Sequence, residues 1–194
     1  MNRAADVALA GAGLVVASPL LALSAVAIAL EDGRPVLYRQ ERVGRNEEPF
    51  ELLKLRTMVV GAETQGAGFA VDRGDARITR VGRILRKLSL DELPQLWNVL
   101  RGDMSVIGPR PTLRYQVERY TERQRRRLEV RPGLTGWAQI HGRATLPWAE
   151  KIELDVWYVE HRSPLVDLKI LLRTPLALFG GTYKGSSGGW RAGD

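Results

Sequence analysis

Asp91 and Glu92 are adjacent carboxylates in the run Ser89-Leu90-Asp91-Glu92-Leu93-Pro94-Gln95, and a rigid basic turn, Pro109-Arg110-Pro111, follows shortly after. Adjacent carboxylates repel and diverge on a helix, so the pair is a poor ion-pairing surface patch. One of them could attack an electrophile or bind a metal while the other handles a proton. A carboxylate nucleophile is established chemistry where a cation shields an incoming phosphate. A structural reading competes with this: Ser89 and Glu92 have the spacing of a capping box, and Asp91 in a first turn would complement the helix dipole. The prolines flanking Arg110 fix its backbone, and a fixed guanidinium suits bidentate phosphate recognition.

The elements that must position these groups form a helix-rich α+β pattern. Pro35 to Tyr38 and Phe50 to Lys54 read as strands around the turn-like Val43-Gly44-Arg45-Asn46, a small β-hairpin. Residues 61–74 read as a loop. Ile78, Val81, Ile84, Leu85 and Leu88 recur at helical spacing among Arg77, Arg80, Arg83 and Lys87, an amphipathic helix for the core or for anionic headgroups. Leu93, Leu96, Trp97 and Leu100 form the packing stripe of the next helix. Between Arg114 and Arg131 the cations alternate with Glu118, Glu122 and Glu129, which favours a solvated or headgroup-facing helix over a nucleic-acid surface. Trp148, Ile152, Val156 and Val159 predict one further helix face. Leu165, Leu168, Leu171 and Leu172 predict another, interrupted at Pro175. Residues 185–194, rich in Gly and Ser, read as a flexible tail.

Composition limits the partners. Lys and Arg number 29 against 22 Asp and Glu, a net charge of +7 that favours anionic ligands. The absence of cysteine excludes disulfides, thiolate nucleophiles and Cys-based zinc sites. From Val7 to Leu30 no residue is charged, a length sufficient to span a bilayer core of about 30 Å. Ser18-Pro19 lies in its middle, where proline removes a helical hydrogen bond, so a bend into two half-helices is expected. Arg3 precedes the segment and Arg34, Arg39, Arg42 and Arg45 follow it, and basic flanks prefer the cytoplasm. A segment that enters and leaves by one leaflet meets both conditions. A signal anchor and a cleaved signal peptide are the alternatives.

Taken with Trp97-Asn98, Gly102-Asp103-Met104 and Gly108-Pro109-Arg110-Pro111, the carboxylate run resembles the signature of the monotopic phosphoglycosyl transferases, or bacterial sugar transferases. Four further segments match in order: Lys54 to Met58, Arg86 to Ser89, Arg131 to Gln139, and Asp155 through Tyr158 on to Asp167. The resemblance covers nearly the whole chain, in the minimal form without a multi-span N-terminal region.

It implies a re-entrant membrane helix over residues 1–33 broken at Ser18 and Pro19, then a catalytic domain over residues 34–184 on the cytoplasmic face of the bacterial inner membrane. The implied reaction moves a sugar 1-phosphate from a UDP-sugar to polyprenol phosphate, through an aspartyl phosphosugar on Asp91. Glu92 is the second catalytic residue. Mg2+ is expected on Asp91 and the diphosphate. Lys54, Arg56, Arg86, Arg110, Arg131, Arg143, Asp155 and Asp167 are the implied substrate contacts. Membrane lipids are partners, nucleic acid is not, and a homodimer and downstream glycosyltransferases are left open. His141 departs from the family's usual Asn. The competing class is a non-catalytic basic membrane-associated scaffold.

Overall fold

The computed structural model of the protein describes residues 2–65, 74–142 and 146–179. Arg143, the tail 185–194 and most of the expected loop 61–74 therefore lie outside the described residues.

Helix α1, Arg3–Asp32, is 30 residues long, or about 45 Å at the usual rise. Its most apolar stretch has a mean hydropathy of 2.3 and is only 11% buried against the rest of the molecule. One helix is assigned through Ser18-Pro19, with Pro19 inside it, and a proline inside a helix is where a bend is expected. Pro19 has no N–H for the carbonyl of Val15, and the Ser18 hydroxyl donates to that carbonyl instead, at 2.8 Å. A polar group that would be stranded in an apolar setting is thereby satisfied.

Both ends of α1 are tied to the globular part. Near its start, Arg3 donates to the carbonyls of Val99 and Leu100, at 2.5 and 2.7 Å. The buried Asp6 carboxylate accepts from the Ser105 hydroxyl and the Val106 N–H, both at 2.8 Å. At the other end Glu31 accepts from the N–H groups of Arg80 and Val81, each at 2.8 Å. Between these anchors, Val15 and Val16 are 74% and 81% exposed.

Strands β1 (Leu37–Val43) and β2 (Pro49–Leu55) pair antiparallel, with Tyr38 opposite Lys54 and Arg42 opposite Phe50. The expected hairpin forms and is longer than the sequence indicated. Helix α2 (Arg80–Lys87) is capped by the Thr79 hydroxyl and buries Gly82 and Leu85, leaving Ile84 and Leu88 exposed. Helix α3 (Gln95–Arg101) buries Leu96 and Val99, and Trp97, expected in its packing stripe, is 51% exposed. A parallel bridge joins β3 (Ser105–Ile107) to β4 (Gly133–Thr135).

Short helices α4 (Arg114–Val117), α5 (Glu122–Arg125) and α6 (Trp137–Ile140) lead to α7 (Trp148–His161) and α8 (Pro164–Phe179). Helix α8 runs through Pro175 without stopping. It turns Ile170, Val166 and Leu171 inward, while Leu165, Leu168 and Leu172 of the expected face stand outside. The helix is apolar on nearly every side, so periodicity could not select the core face.

Leu52, Leu96, Val99, Met104, Ile107, Trp137 and Ile170 form the main core. A second cluster joins Val43, Val117, Tyr120, Leu128, Ile152 and Val156, and a third joins Ile28, Leu55 and Leu85.

Two glycines are set by close approach. A Cβ on Gly82 would overlap the carbonyl of Thr57, and a Cβ on Gly133 would overlap the backbone nitrogen of Gly108. Because the obstacle is backbone in both cases, Gly82→Ala and Gly133→Ala are each expected to lower stability by about 1–3 kcal/mol, the usual cost of overpacking. Melting temperatures in detergent check this, and wild-type values would refute it.

Candidate active site

The chain leaves α2 through Ser89, a non-glycine residue in left-handed backbone (φ 56°), and enters a 3-10 turn, Leu90–Glu92, that carries both carboxylates. The capping box read from Ser89 and Glu92 is not formed. Ser89 makes no side-chain cap, and Glu92 reaches across to β2 and to the Pro109-Arg110-Pro111 turn. Lys54 Nζ donates to Glu92 Oε1 at 2.9 Å, and the Arg110 guanidinium pairs with both Glu92 oxygens. Burial pushes the Glu92 carboxyl up, but Arg110 and Lys54 together hold it well below the usual carboxylate range. Glu92 is thus a fixed anion locking two cations, a poor proton carrier.

Asp91 differs from its neighbour. It is buried, and no described donor hydrogen-bonds its carboxylate. Burial raises its pKa, opposed by Lys54, assisted by the Glu92 charge, and opposed again by Arg86 and Arg110. Its lone pairs are uncommitted in a cationic setting, as a nucleophile or metal ligand requires. Arg86 is held nearby through its Nε, which donates to the Thr57 hydroxyl at 2.7 Å.

The Arg110 turn is supported from beneath. Arg127, only 3% exposed, donates from Nη2 to the Arg110 carbonyl at 2.9 Å and to Asp155 Oδ2 at 2.5 Å, and from Nη1 to the Tyr120 hydroxyl at 2.6 Å. The Tyr120 hydroxyl in turn lies 3.1 Å from that of Thr112. Burial pushes the Asp155 carboxyl up to about 6, further than Arg127 holds it down. On the other side of the turn, Arg42 Nη1 donates to the Pro111 carbonyl at 3.3 Å.

Of the residues named from sequence, Lys54, Arg86, Asp91, Glu92 and Arg110 come together. Asp155 lies behind them, bonded to Arg127. Arg56 lies elsewhere, donating to the carbonyls of Asp32 and Gly33 at the end of α1. Arg131 donates through Nε to the Gly102 carbonyl, closing the end of α3. Asp167 accepts from the Tyr158 hydroxyl at 2.8 Å. Within the matching segment Arg131 to Gln139, Gly133–Thr135 is the strand β4, and the Gly133 N–H is spent on the Pro109 carbonyl at 2.8 Å. The glycines there let two backbones touch. Arg127 is a correction too, a buried residue in a run expected to be solvated, and nothing in the local sequence separates it from its neighbours. Arg42 was within reach of sequence, because it shares a strand face with Tyr38, which is paired with Lys54.

The family model for bacterial sugar transferases matches residues 1–181. The chain is 48% identical over 157 residues to EpsL of Bacillus subtilis, described as an uncharacterized sugar transferase, covering 81% of this chain and 76% of that one. It is 46% identical over 181 residues to the UDP-glucose:undecaprenyl-phosphate glucose-1-phosphate transferase of Caulobacter vibrioides, covering 89% of this chain and 67% of the relative. With the UDP-N-acetylgalactosamine-undecaprenyl-phosphate N-acetylgalactosaminephosphotransferase of Aeromonas hydrophila it shares 43% identity over 180 residues, 90% of this chain but 42% of that longer protein. A match over nearly the whole length, with the carboxylate pair and its cations assembled at one place, means that this chain belongs to the bacterial sugar transferase family.

Proposed function

We propose that the protein transfers a sugar 1-phosphate from a UDP-sugar to polyprenol phosphate, releasing UMP and forming a polyprenyl-diphosphate-sugar, an early membrane step of bacterial glycoconjugate synthesis. The observation that carries this reading is the unequal carboxylate pair: Glu92 locked by Lys54 and Arg110, and Asp91 beside it with no hydrogen bond among the described residues.

In the first half-reaction an Asp91 oxygen attacks the sugar-linked phosphorus. The bond from that phosphorus to the oxygen bridging the two phosphates breaks, and UMP departs with the electron pair. In the second, a phosphate oxygen of polyprenol phosphate attacks the same phosphorus and expels the Asp91 carboxylate. Both the nucleophile and the leaving group are phosphate oxygens or carboxylate, so neither half-reaction requires a general acid. That agrees with a Glu92 held ionised. Its role is to fix Lys54 and Arg110 where charge shifts during transfer.

No three carboxylate or histidine side chains cluster among the described residues. A metal held by protein alone is therefore not what the site fits, whereas Mg2+ takes one or two carboxylates plus substrate phosphates. Asp91, with its open oxygens, fits that use. Bound there, Mg2+ would reduce the repulsion between carboxylate and diphosphate.

The re-entrant reading of α1 is supported by its anchors: Arg3 and Asp6 at one end and Glu31 at the other bond the same domain, while Val15 and Val16 between them are exposed. Charge on both flanks favours the cytoplasmic face. The chain has no cysteine, so single cysteines at Asn2 and Arg34 can be introduced cleanly. Both are expected to resist a membrane-impermeant maleimide in intact spheroplasts and to react after lysis. Labelling of one end alone in intact cells would mean a spanning helix.

The reaction is tested with purified protein in lipid nanodiscs, Mg2+, undecaprenyl phosphate and a panel of UDP-sugars. Expected are UMP release that turns over only with the lipid acceptor, and, without acceptor, an acid-quenched peptide containing Asp91 heavier by one phosphosugar. UMP release with the adduct on another peptide would refute the role of Asp91. No release from any UDP-sugar would refute the donor class.

A further inference from the structure

The turn that carries Arg110 is held by its carbonyls. Neither Pro109 nor Pro111 has an N–H to give, and every carbonyl from Pro109 to Thr112 accepts from a different donor. The Pro109 carbonyl accepts from the Gly133 N–H at 2.8 Å, and the Thr112 carbonyl from the Val43 N–H at 2.9 Å. Those two donors are backbone of β4 and β1, fixed by strand pairing. The carbonyls between them, on Arg110 and Pro111, are held by side chains instead: Arg127 Nη2 at 2.9 Å and Arg42 Nη1 at 3.3 Å. The Arg110 side chain is itself 48% exposed. A side chain that open is aimed by Glu92 at its tip and by the backbone at its root more than by packing.

The two supporting arginines are themselves anchored differently. Arg127 is tied to the buried Asp155, so its loss leaves a carboxylate unpaired in the core. No carboxylate is hydrogen-bonded to Arg42 among the described residues. Its anchor is Gln40, which alternation places on the same face of β1. Arg42 Nε and Nη2 both donate to the Gln40 side-chain oxygen, at 3.0 and 2.6 Å. An arginine can only donate, so the oxygen is the end of the Gln40 amide that faces it. Two bonds along one edge fix the plane of the guanidinium, and Nη1 is thereby left for the Pro111 carbonyl.

We infer that Arg42, oriented by Gln40, is a positioning residue: through the Pro111 carbonyl it sets the direction in which Arg110 leaves its turn, and so where that guanidinium meets the diphosphate. This rests on the function proposed above and deepens it. Charge moves between phosphate oxygens as the bridging P–O bond breaks, and a cation stabilises that movement only where it is already in place. Arg42 acts on the transition state through Arg110, without touching substrate. Its role therefore belongs to the forked shape of its guanidinium, which joins Gln40 to Pro111, and a lysine of the same charge lacks that fork.

The test uses the full chain in nanodiscs with Mg2+, undecaprenyl phosphate and the UDP-sugar that wild type turns over, and pairs UMP release with thermal melts. Arg42→Met, Arg42→Lys and Gln40→Leu are each expected to lower kcat at least about 10-fold, because a small misplacement of a catalytic group is costly. The KM for the UDP-sugar should stay within about 2-fold of wild type, as it does when an interaction made only in the transition state is lost. Gln40→Leu is the sharpest of the three, since it leaves the Arg42 charge in place. A wild-type kcat in Arg42→Lys would overturn the inference by showing that charge suffices, and a wild-type kcat in Gln40→Leu would overturn it by removing the orienting bond without effect. A raised KM with kcat preserved would make Arg42 a substrate contact. Rates that fall only in step with the melting temperature across the three variants would make it a packing residue, and either result also overturns the inference. A wild-type protein that releases no UMP from any UDP-sugar would instead refute the proposed function.

Discussion

Asp91→Asn is expected to abolish UMP release, by at least about 10³-fold, and at the same time to raise the melting temperature. The loss follows from nucleophilic chemistry: an amide has the shape of the carboxylate but cannot form the acyl phosphate. The gain follows from the folded-state pKa, which burial raises above the ordinary carboxylate value. A carboxyl raised on folding contributes most to stability when protonated, below its unfolded pKa, and loses that contribution as the pH climbs through the folded value. At neutral pH the ionised Asp91 is therefore a net burden, which the neutral amide relieves.

Glu92→Gln has the opposite sign. Arg110 and Lys54 lower the Glu92 pKa, so its ionised form stabilises the fold above the unfolded value and ceases to do so as the pH falls through the folded one. The amide should lower the melting temperature at pH 7 and make little difference in strong acid. Two neighbouring carboxylates with opposite stability effects would separate a functional residue from a structural one. Thermal melts of both variants, paired with UMP release, check this. A destabilised but active Asp91→Asn would return that residue to the helix-dipole role that its position alone also allows.

The buried Arg127–Asp155 pair leads to the second large effect. Removing one member of a buried ion pair leaves an uncompensated charge, at a cost of about 3–5 kcal/mol. The two members should differ in their response to pH. In Arg127→Met the remaining Asp155 can take up a proton, and its folded pKa, already about 6 with Arg127 in place, should rise further. That variant should be nearly as stable as wild type near pH 5 and progressively weaker as the pH climbs through the new value. In Asp155→Asn the remaining guanidinium cannot lose its proton, so the penalty should persist across the same range. Denaturation midpoints at pH 5 and pH 8 decide it, and equal pH profiles for the two variants would refute the argument. Because Arg127 also holds the Arg110 carbonyl, both variants should show reduced kcat.

Much of the site was legible in the order of residues. Adjacent carboxylates, a proline-braced arginine and a lysine on a short strand are local features whose chemistry does not depend on their surroundings. The hairpin and the interior helices were readable because strand and helix place apolar residues at different periods. The lengths were less legible, since Ser18 rescues the carbonyl that Pro19 strands and α8 continues past Pro175. A proline marks where a helix can end. Whether it does depends on which groups replace the missing bond.

By itself, then, the sequence determined the candidate carboxylates and cations, the apolar N-terminal segment and the family resemblance, because each is carried by residue type and short-range spacing. Only the tertiary structure decided which carboxylate is locked and which is open, since that depends on Lys54 and Arg110 arriving from distant segments. It alone separated Arg127 from Arg125 and Arg126, three identical side chains in a row of which one is buried against Asp155. Arg56, Arg131 and Asp167 were drawn off to helix ends and a tyrosine hydroxyl for the same reason. A charge takes its role from the partner the fold brings to it, and that partner lies tens of residues away along the chain.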